Sequence, residues 1–367
     1  MKILQIVTYI SVNSEFGGPS QVSQNILYEL NKSHSCEIMA LSNYRTITDD
    51  SKSHFNEMHL FRSFDLFPKL GFAGIINFKI FFKFIKIRKK FDIVHIHLAR
   101  DLVSLPLALI CMLLRKPYVL QTHGMIDPSK RKMAKFLDIF VTRKVMRRSE
   151  LILSLSKEED SDLLAIEKQI NLIRFINAAR KRNQVTRQDK VVFVGRMAED
   201  KRPDLLVKAA HLFLKGHHHT IFEFIGPNSG LLKECKQIVS AGKFQENFLF
   251  RGPLNNSETV ELVSQSKVLV LPSPKDRFPL AVVEALSTGT PVVISKGNGL
   301  AELISEYQAG IVSNLTEIEI ASAIRTIYES FEDYRKNADK LFDDIFDVSV
   351  NTKKLICIYQ SIIMNMK

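Results

Sequence analysis

The stretch DRFPLAVVEALSTGTPVV, residues 276–293, decides the fold. It sets an acid, Asp276, on a loop ahead of LAVVEALS, an apolar run of helical length interrupted by one carboxylate, Glu284. Gly289 supplies the turn that ends a helix, and PVVIS follows as a short β-branched run with no polar face. The preceding KVLVLPS, residues 267–273, has the same character. Strands apolar on both faces, joined through a helix, belong to a parallel sheet covered on both sides.

Working outward, the same unit recurs. KILQIVTY, CEIMALS, DIVHIH, YVLQTHG and LILSLS occupy the first half, and KVVFVGR, TIFEFIG and FLFRGP open the second. Helical stretches such as PSQVSQNILYELNK and PDLLVKAAHLFLKG lie between them. The pattern predicts an α/β protein of two doubly wound domains, residues 1–180 and 181–345. The polar segment AARKRNQVTRQDK, residues 178–190, is expected to be the linker. Residues 346–367 are expected to return to the first domain as a helix.

The composition is that of a globular chain: 367 residues, 46% hydrophobic and 25% charged. No apolar run is long and uncharged enough to cross a bilayer, and the apolar start lacks a small-residue cleavage site. Cys36, Cys111, Cys235 and Cys357 have no metal or redox spacing and are expected as buried thiols in a reducing cytosol. The net charge of +12 asks for an anionic partner or marks a solubility surface.

Ligands of open α/β sheets bind beyond the carboxyl ends of strands. After the first strand come Gly17 and Gly18, which allow close approach of a ligand to backbone; an ordinary strand-to-helix turn explains them equally. After KVVFVG come Arg196 and Lys201. Two cations there, at the positive end of the next helix, call for an anion between them, such as a diphosphate. Compensation by Glu199 and Asp200 is the alternative. Asp276 and Glu284 can accept hydrogen bonds from vicinal hydroxyls, so a ribose or hexose fits them.

Taken in order, VGRMAEDK, PSPKDRFPLAVVEALSTGTPVV and GNGLAELISEYQAGIV, with FGGPSQV, DIVHIHLARDLVSLPLAL and QTHGMIDPSKR before them, resemble the motifs of retaining glycosyltransferases of family 4. These have the GT-B fold, two Rossmann-like domains facing a cleft. The resemblance is to bacterial surface-polysaccharide or O-antigen enzymes, and it implies an acceptor-binding first domain and a nucleotide-sugar-binding second one. By that resemblance Glu284 holds the nucleotide ribose, Asp276 the donor-sugar hydroxyls, and Arg196 and Lys201 the diphosphate. His123 lies near the donor sugar and Gly17 and Gly18 near the phosphates. Phe278 and Leu280 join the donor side, and His97, Arg100 and Asp127 are acceptor-side candidates. The chain departs from the family in having Asp276 for Glu, Pro279 for Gly, and Asn177 followed by Ala178 where Asn-Gly is usual.

The implied chemistry is metal-independent, with no cofactor beyond the donor, a UDP-sugar. Negative charge grows on the leaving diphosphate, and fixed cations stabilise it there. A nucleotide-sugar epimerase and an inactive sugar-nucleotide-binding protein are the alternatives. His217–His219 are expected in a helix-to-strand loop. His97 either reaches the acceptor or packs within its strand.

FKIFFKFIKIRKKF, residues 78–91, carries Lys79, Lys83, Lys86 and Lys90 at helical spacing among Phe and Ile. It reads as a helix on anionic lipid or as a core helix with a solvated basic face. A polyprenyl-diphosphate-linked glycan at the inner face of the cell membrane would suit the first reading. No nucleic-acid recognition motif is present, so nucleic acid is not an expected partner.

Overall fold

The computed structural model describes residues 1–10, 18–43, 57–129, 131–183 and 185–366. Two compact units result: Met1–Asn177 with Val348–Lys367, and Ala178–Asp347. Each is a parallel sheet with helical crossovers.

In the first unit the strands are β1 (Lys2–Ile10), β2 (Ser35–Ser42), β3 (Met58–Arg62), β6 (Ile93–His97), β7 (Tyr118–Gln121), β8 (Leu151–Ser154) and β9 (Leu172–Arg174). Their order is β3-β2-β1-β6-β7-β8-β9, all parallel. A small antiparallel pair, β4 (Phe64–Asp65) and β5 (Ile75–Ile76), stands apart. In the second unit β10 (Lys190–Val194), β11 (Ile221–Ile225), β12 (Phe248–Gly252), β13 (Val268–Leu271), β14 (Val292–Ser295) and β15 (Gly310–Ser313) pair in the order β12-β11-β10-β13-β14-β15. The inner strands are buried on both faces, which is why their sequences are continuously apolar. The hydropathy pattern misses β3, β9 and β15. They are edge strands, and none is buried along its whole length.

The division falls three residues earlier than the sequence suggests, and the presumed linker is not free. Ala179 pairs in parallel with Asp347, and its N–H donates to Phe346 O at 3.0 Å. Lys181 bridges Asp339 and Asp343 at 2.8 Å each. The Arg187 guanidinium donates to the backbone oxygens of Ser264, Ser266 and Thr288 and to Thr290 Oγ1. Polar side chains thus fix this stretch to the second unit by closing orphan carbonyls.

Phe346, placed by sequence in the returning helix, stays in the second unit, with its ring edge-on to Phe278 at 6.2 Å. The helix itself runs Val348–Met364 and completes the first unit, burying Leu355 and Tyr359 entirely. Cys36, Cys111 and Cys235 are buried as expected, but Cys357 is exposed. It lies two residues beyond Leu355, about 200° around the helix, and so faces outward. His217–His219 do lie in a helix-to-strand turn, with His217 stacked on Phe213 at 4.3 Å.

Candidate active site

In the second unit the residues beyond β10 and β13 converge. Gly195 follows β10, and the loop to residue 202 precedes the helix Pro203–Phe213, so Lys201 stands before the helix rather than on it. Arg202 takes a left-handed φ of 53° and Pro203 opens the helix. Lys201 Nζ forms an ion pair with the Asp276 carboxylate, and both side chains are largely buried. Arg196 pairs with Asp200 at 2.8 Å, and both are more than half exposed. The electrostatic conflict read from two cations at a helix start is therefore met, in the free protein, by one carboxylate for each.

Asp276 is aimed by its backbone. Its N–H donates to Gly297 O and its carbonyl accepts from Gly299 N at 2.7 Å. A Cβ on Gly297 would sit 1.9 Å from Pro274 O, and one on Gly299 2.0 Å from Arg277 O. Only glycine permits this approach, which explains the GNG of the sequence. Gly299→Ala is expected to push the Asp276 loop aside and weaken donor binding without unfolding the unit; calorimetry with a nucleoside diphosphate checks it.

Beyond the loop, Pro279 caps the helix Leu280–Ser287 and Gly289, at φ 68°, follows its end. Glu284, half-buried on this helix, accepts from Asn256 Nδ2 at 2.6 Å. Burial pushes its carboxyl up to about 7, against the pull of Asn256 and the more distant Arg182. Asn256 and Arg182 were not found from sequence. The only signal was the capping box at Asn255 and Glu258, which places Asn256 in the first turn of the helix Asn256–Gln265. Phe278 and Leu280, half-buried, stand at the start of the helix Leu280–Ser287.

The first unit carries its own group. His97 Nδ1 and His123 Nε2 lie 2.7 Å apart, and their rings stack at 5.0 Å. His123 has a left-handed φ of 49°, and Gly124 follows at 72°. The buried Glu159 carboxylate holds that turn from both sides, accepting from Thr122 Oγ1 and Gly124 N at 2.5 Å each and from Leu155 N at 2.7 Å. His97 is thus a packed strand residue that also meets His123. Arg100 and Asp127 come together but are engaged with the chain itself. Arg100 forks onto Asp138 at 2.9 and 3.0 Å and donates to Asp127 O at 2.6 Å. Asp138 is the partner sequence reading missed. Gly18 begins the helix Gly18–Leu30, and Gly17 lies outside the described residues.

The basic stripe is mixed. The helix Lys79–Ile87 buries Ile80, Phe84 and Ile87, while Phe78, Phe82 and Ile85 are exposed beside Lys79 and Lys86. Lys90 falls beyond this helix, in the turn Arg88–Lys90, so the stripe spans only Lys79, Lys83 and Lys86 as a helix. A second exposed apolar set, Met133, Phe136, Ile139 and Phe140, lies in the basic run 131–148. Among the described residues no helix is long and apolar enough to cross a membrane, and no cluster of three His, Cys, Asp or Glu side chains could hold a metal ion.

Comparison with known proteins agrees with this layout. Residues 16–174 match the model of Glycosyltransferase Family 4, and residues 175–340 that of Glycosyl transferases group 1. An O-antigen biosynthesis glycosyltransferase of Escherichia coli is 24% identical over 90% of this chain and 93% of its own. The N,N'-diacetylbacillosaminyl-diphospho-undecaprenol alpha-1,3-N-acetylgalactosaminyltransferase of Campylobacter jejuni is 28% identical over 49% of this chain and half of its own. In fold, an Anabaena protein solved in complex with UDP superimposes with a TM-score of 0.74 at 15% identity, over 98% of this chain and 100% of that one. With the two family models meeting where the two parallel-sheet units divide, the chain belongs to glycosyltransferase family 4 and is a glycosyltransferase of GT-B fold.

Proposed function

We propose that this enzyme transfers a sugar from a nucleotide-sugar, a UDP-sugar, to a glycan or polyprenyl-diphosphate-linked acceptor in cell-surface polysaccharide synthesis, with retention of anomeric configuration and without a metal. The observation that carries the reading is the Lys201–Asp276 ion pair at the start of the helix that bears Glu284. A diphosphate would take Lys201 from Asp276 and leave that carboxylate for the sugar hydroxyls. Arg196, exposed on the same loop, would exchange Asp200 for the second phosphate. Glu284 and Asn256 would hold the ribose, and Phe278 and Leu280 would flank the nucleotide. His123 would lie against the donor sugar, with Gly17 and Gly18 near the phosphates, and His97, Arg100 and Asp127 would line the acceptor side.

The Anabaena complex with UDP supports the choice of nucleotide, and the Campylobacter relative, named for an undecaprenol-linked acceptor, supports the lipid-linked one. The test is a melting-temperature panel of UDP, GDP, ADP and dTDP, followed by transfer from the matching radiolabelled donor to polyprenyl-linked glycan. Transfer with retention supports the reading; isomerisation of the donor, or binding alone, sinks it.

Residence at the inner face of the membrane would rest on Lys79, Lys83, Lys86 and Lys90, with Phe78, Phe82 and Ile85 entering the interface. Each cation near an anionic surface contributes about 1 kcal/mol, and salt screens it. Replacing the four lysines with Glu is expected to abolish sedimentation with anionic liposomes at low salt while leaving transfer to a soluble acceptor intact. A mutant that still pellets makes the stripe a solvated face.

A further inference from the structure

His123 belongs to a hydrogen-bond chain that runs through the first unit in one direction. The Gln5 amide fixes one end. Its Nε2 donates to Ser23 O at 3.1 Å, so its Oε1 faces His97 and accepts from Nε2 at 3.1 Å. With that proton on His97 Nε2, Nδ1 can only accept, and His123 Nε2 is the donor across the 2.7 Å contact. His123 Nδ1 is then an acceptor, and Asn177 Nδ2 stands 3.3 Å from it. Asn177 Oδ1 in turn accepts from Gln121 Nε2 at 2.8 Å. Gln121 Oε1 and His95 Nε2 meet no hydrogen-bond partner, so the chain ends at Gln121. The Tyr359 hydroxyl, 2.7 Å from His95 Nδ1, makes a separate contact, and His95 meets the chain only by stacking on His97 at 4.6 Å.

Every member lies in one unit, and Asn177 is the residue at which that unit's first segment ends. Among the described residues, the titratable groups that face His123 or hold its turn are His95, His97 and Glu159. None of these adds a cation, and Glu159 is held by three donors of its own. Burial pushes His95 and His123 down to about 3 and His97 well below its ordinary value.

We propose that Asn177 is a positioning residue that, through this chain, holds His123 as a neutral imidazole with its proton on Nε2, so that the ring puts no positive charge beside the donor sugar as its anomeric carbon becomes electron-poor. The inference rests on the placing of His123 against that sugar. The physical reason is charge. A transition state of oxocarbenium character is raised in energy by a nearby imidazolium and is left unaffected by the neutral ring.

The test reads the ring and the reaction separately. Long-range 1H–15N spectra of the full chain labelled with 15N-histidine are expected to show His123 and His97 as neutral Nε2–H tautomers, unchanged from pH 8 to pH 5. Asn177→Asp keeps the acceptor for Gln121 and replaces the donor at His123 Nδ1 with a carboxylate. His123 should then titrate near neutrality. At saturating donor, kcat should fall about 10–100-fold on the acid side, the scale seen for outer partners of functional histidines, with donor KM within about twofold. A wild-type ring that is protonated or carries its proton on Nδ1 overturns the inference. So does an Asn177→Asp enzyme that changes the His123 signals and leaves kcat at the wild-type value. A wild type that transfers no sugar at all sinks the functional reading beneath it instead.

Discussion

Lys201→Ala is expected to lower turnover about 10²–10³-fold, the loss typical of one fixed donor to a developing anion in a site shielded from water. Only about a fifth of the Lys201 side chain is exposed, against more than half of Arg196. Its charge therefore acts through a lower dielectric, and Arg196→Ala should cost less. The effect must be separated from that of its partner. Without Lys201, the Asp276 carboxylate is left uncompensated and repels an incoming diphosphate, which raises the donor KM as well. Adding Asp276→Asn removes that repulsion, so the double variant should recover donor affinity while turnover stays low. If turnover returns with affinity, Lys201 supplies uniform binding and no transition-state stabilisation. Chelator should change neither parameter; loss of activity in EDTA would overturn the metal-free mechanism.

Glu284→Gln should weaken nucleoside-diphosphate binding by roughly 1–3 kcal/mol, about 5–150-fold, since a hydroxyl bonded to a carboxylate is worth more than one bonded to an amide. The sign with pH is distinctive. The free enzyme's Glu284 titrates at about 7 because it is buried, and the bound ribose favours the ionised form. Wild-type affinity should therefore rise from pH 6 to pH 8, with proton release on binding in the lower half of that range. The Gln variant should show only the nucleotide's own titration. Stability moves the opposite way. A carboxyl whose folded pKa is raised contributes most below its unfolded value and loses that contribution as pH rises from about 4.5 to about 7. The ligand-free Gln variant should thus melt higher than wild type at pH 8. Calorimetry at several pH values, with melting curves alongside, decides both.

The helix Leu280–Ser287, its glycine stop and the buried strands were legible because local pattern and tertiary role coincide there: an apolar run is both the cause of burial and its sign. The partners were not legible. Lys201 and Asp276 meet from loops 75 residues apart, and Asn256 reaches Glu284 across 28. Such pairings are set by which strands neighbour one another, and no local spacing encodes that. Residues 178–190 misled for a related reason. Their polarity reads as solvation, yet Arg187 turns its polar atoms onto carbonyls of the second unit. His95 and His97 stand two residues apart on one strand and so share a face, where their rings stack at 4.6 Å.

The chain enters and leaves the second unit side by side, at the pairing of Ala179 with Asp347. That arrangement orders biosynthesis. Residues 178–347 are contiguous and can fold as soon as they are made, as domains generally do. The first unit cannot close: the helix that buries Leu355 and Tyr359 in it is synthesised only after the second unit. The unit begun first is therefore finished second, and until then its sheet stands beside an unfilled apolar seat. A chain stalled before residue 348 should display a folded second unit and a first unit open to chaperones and proteases.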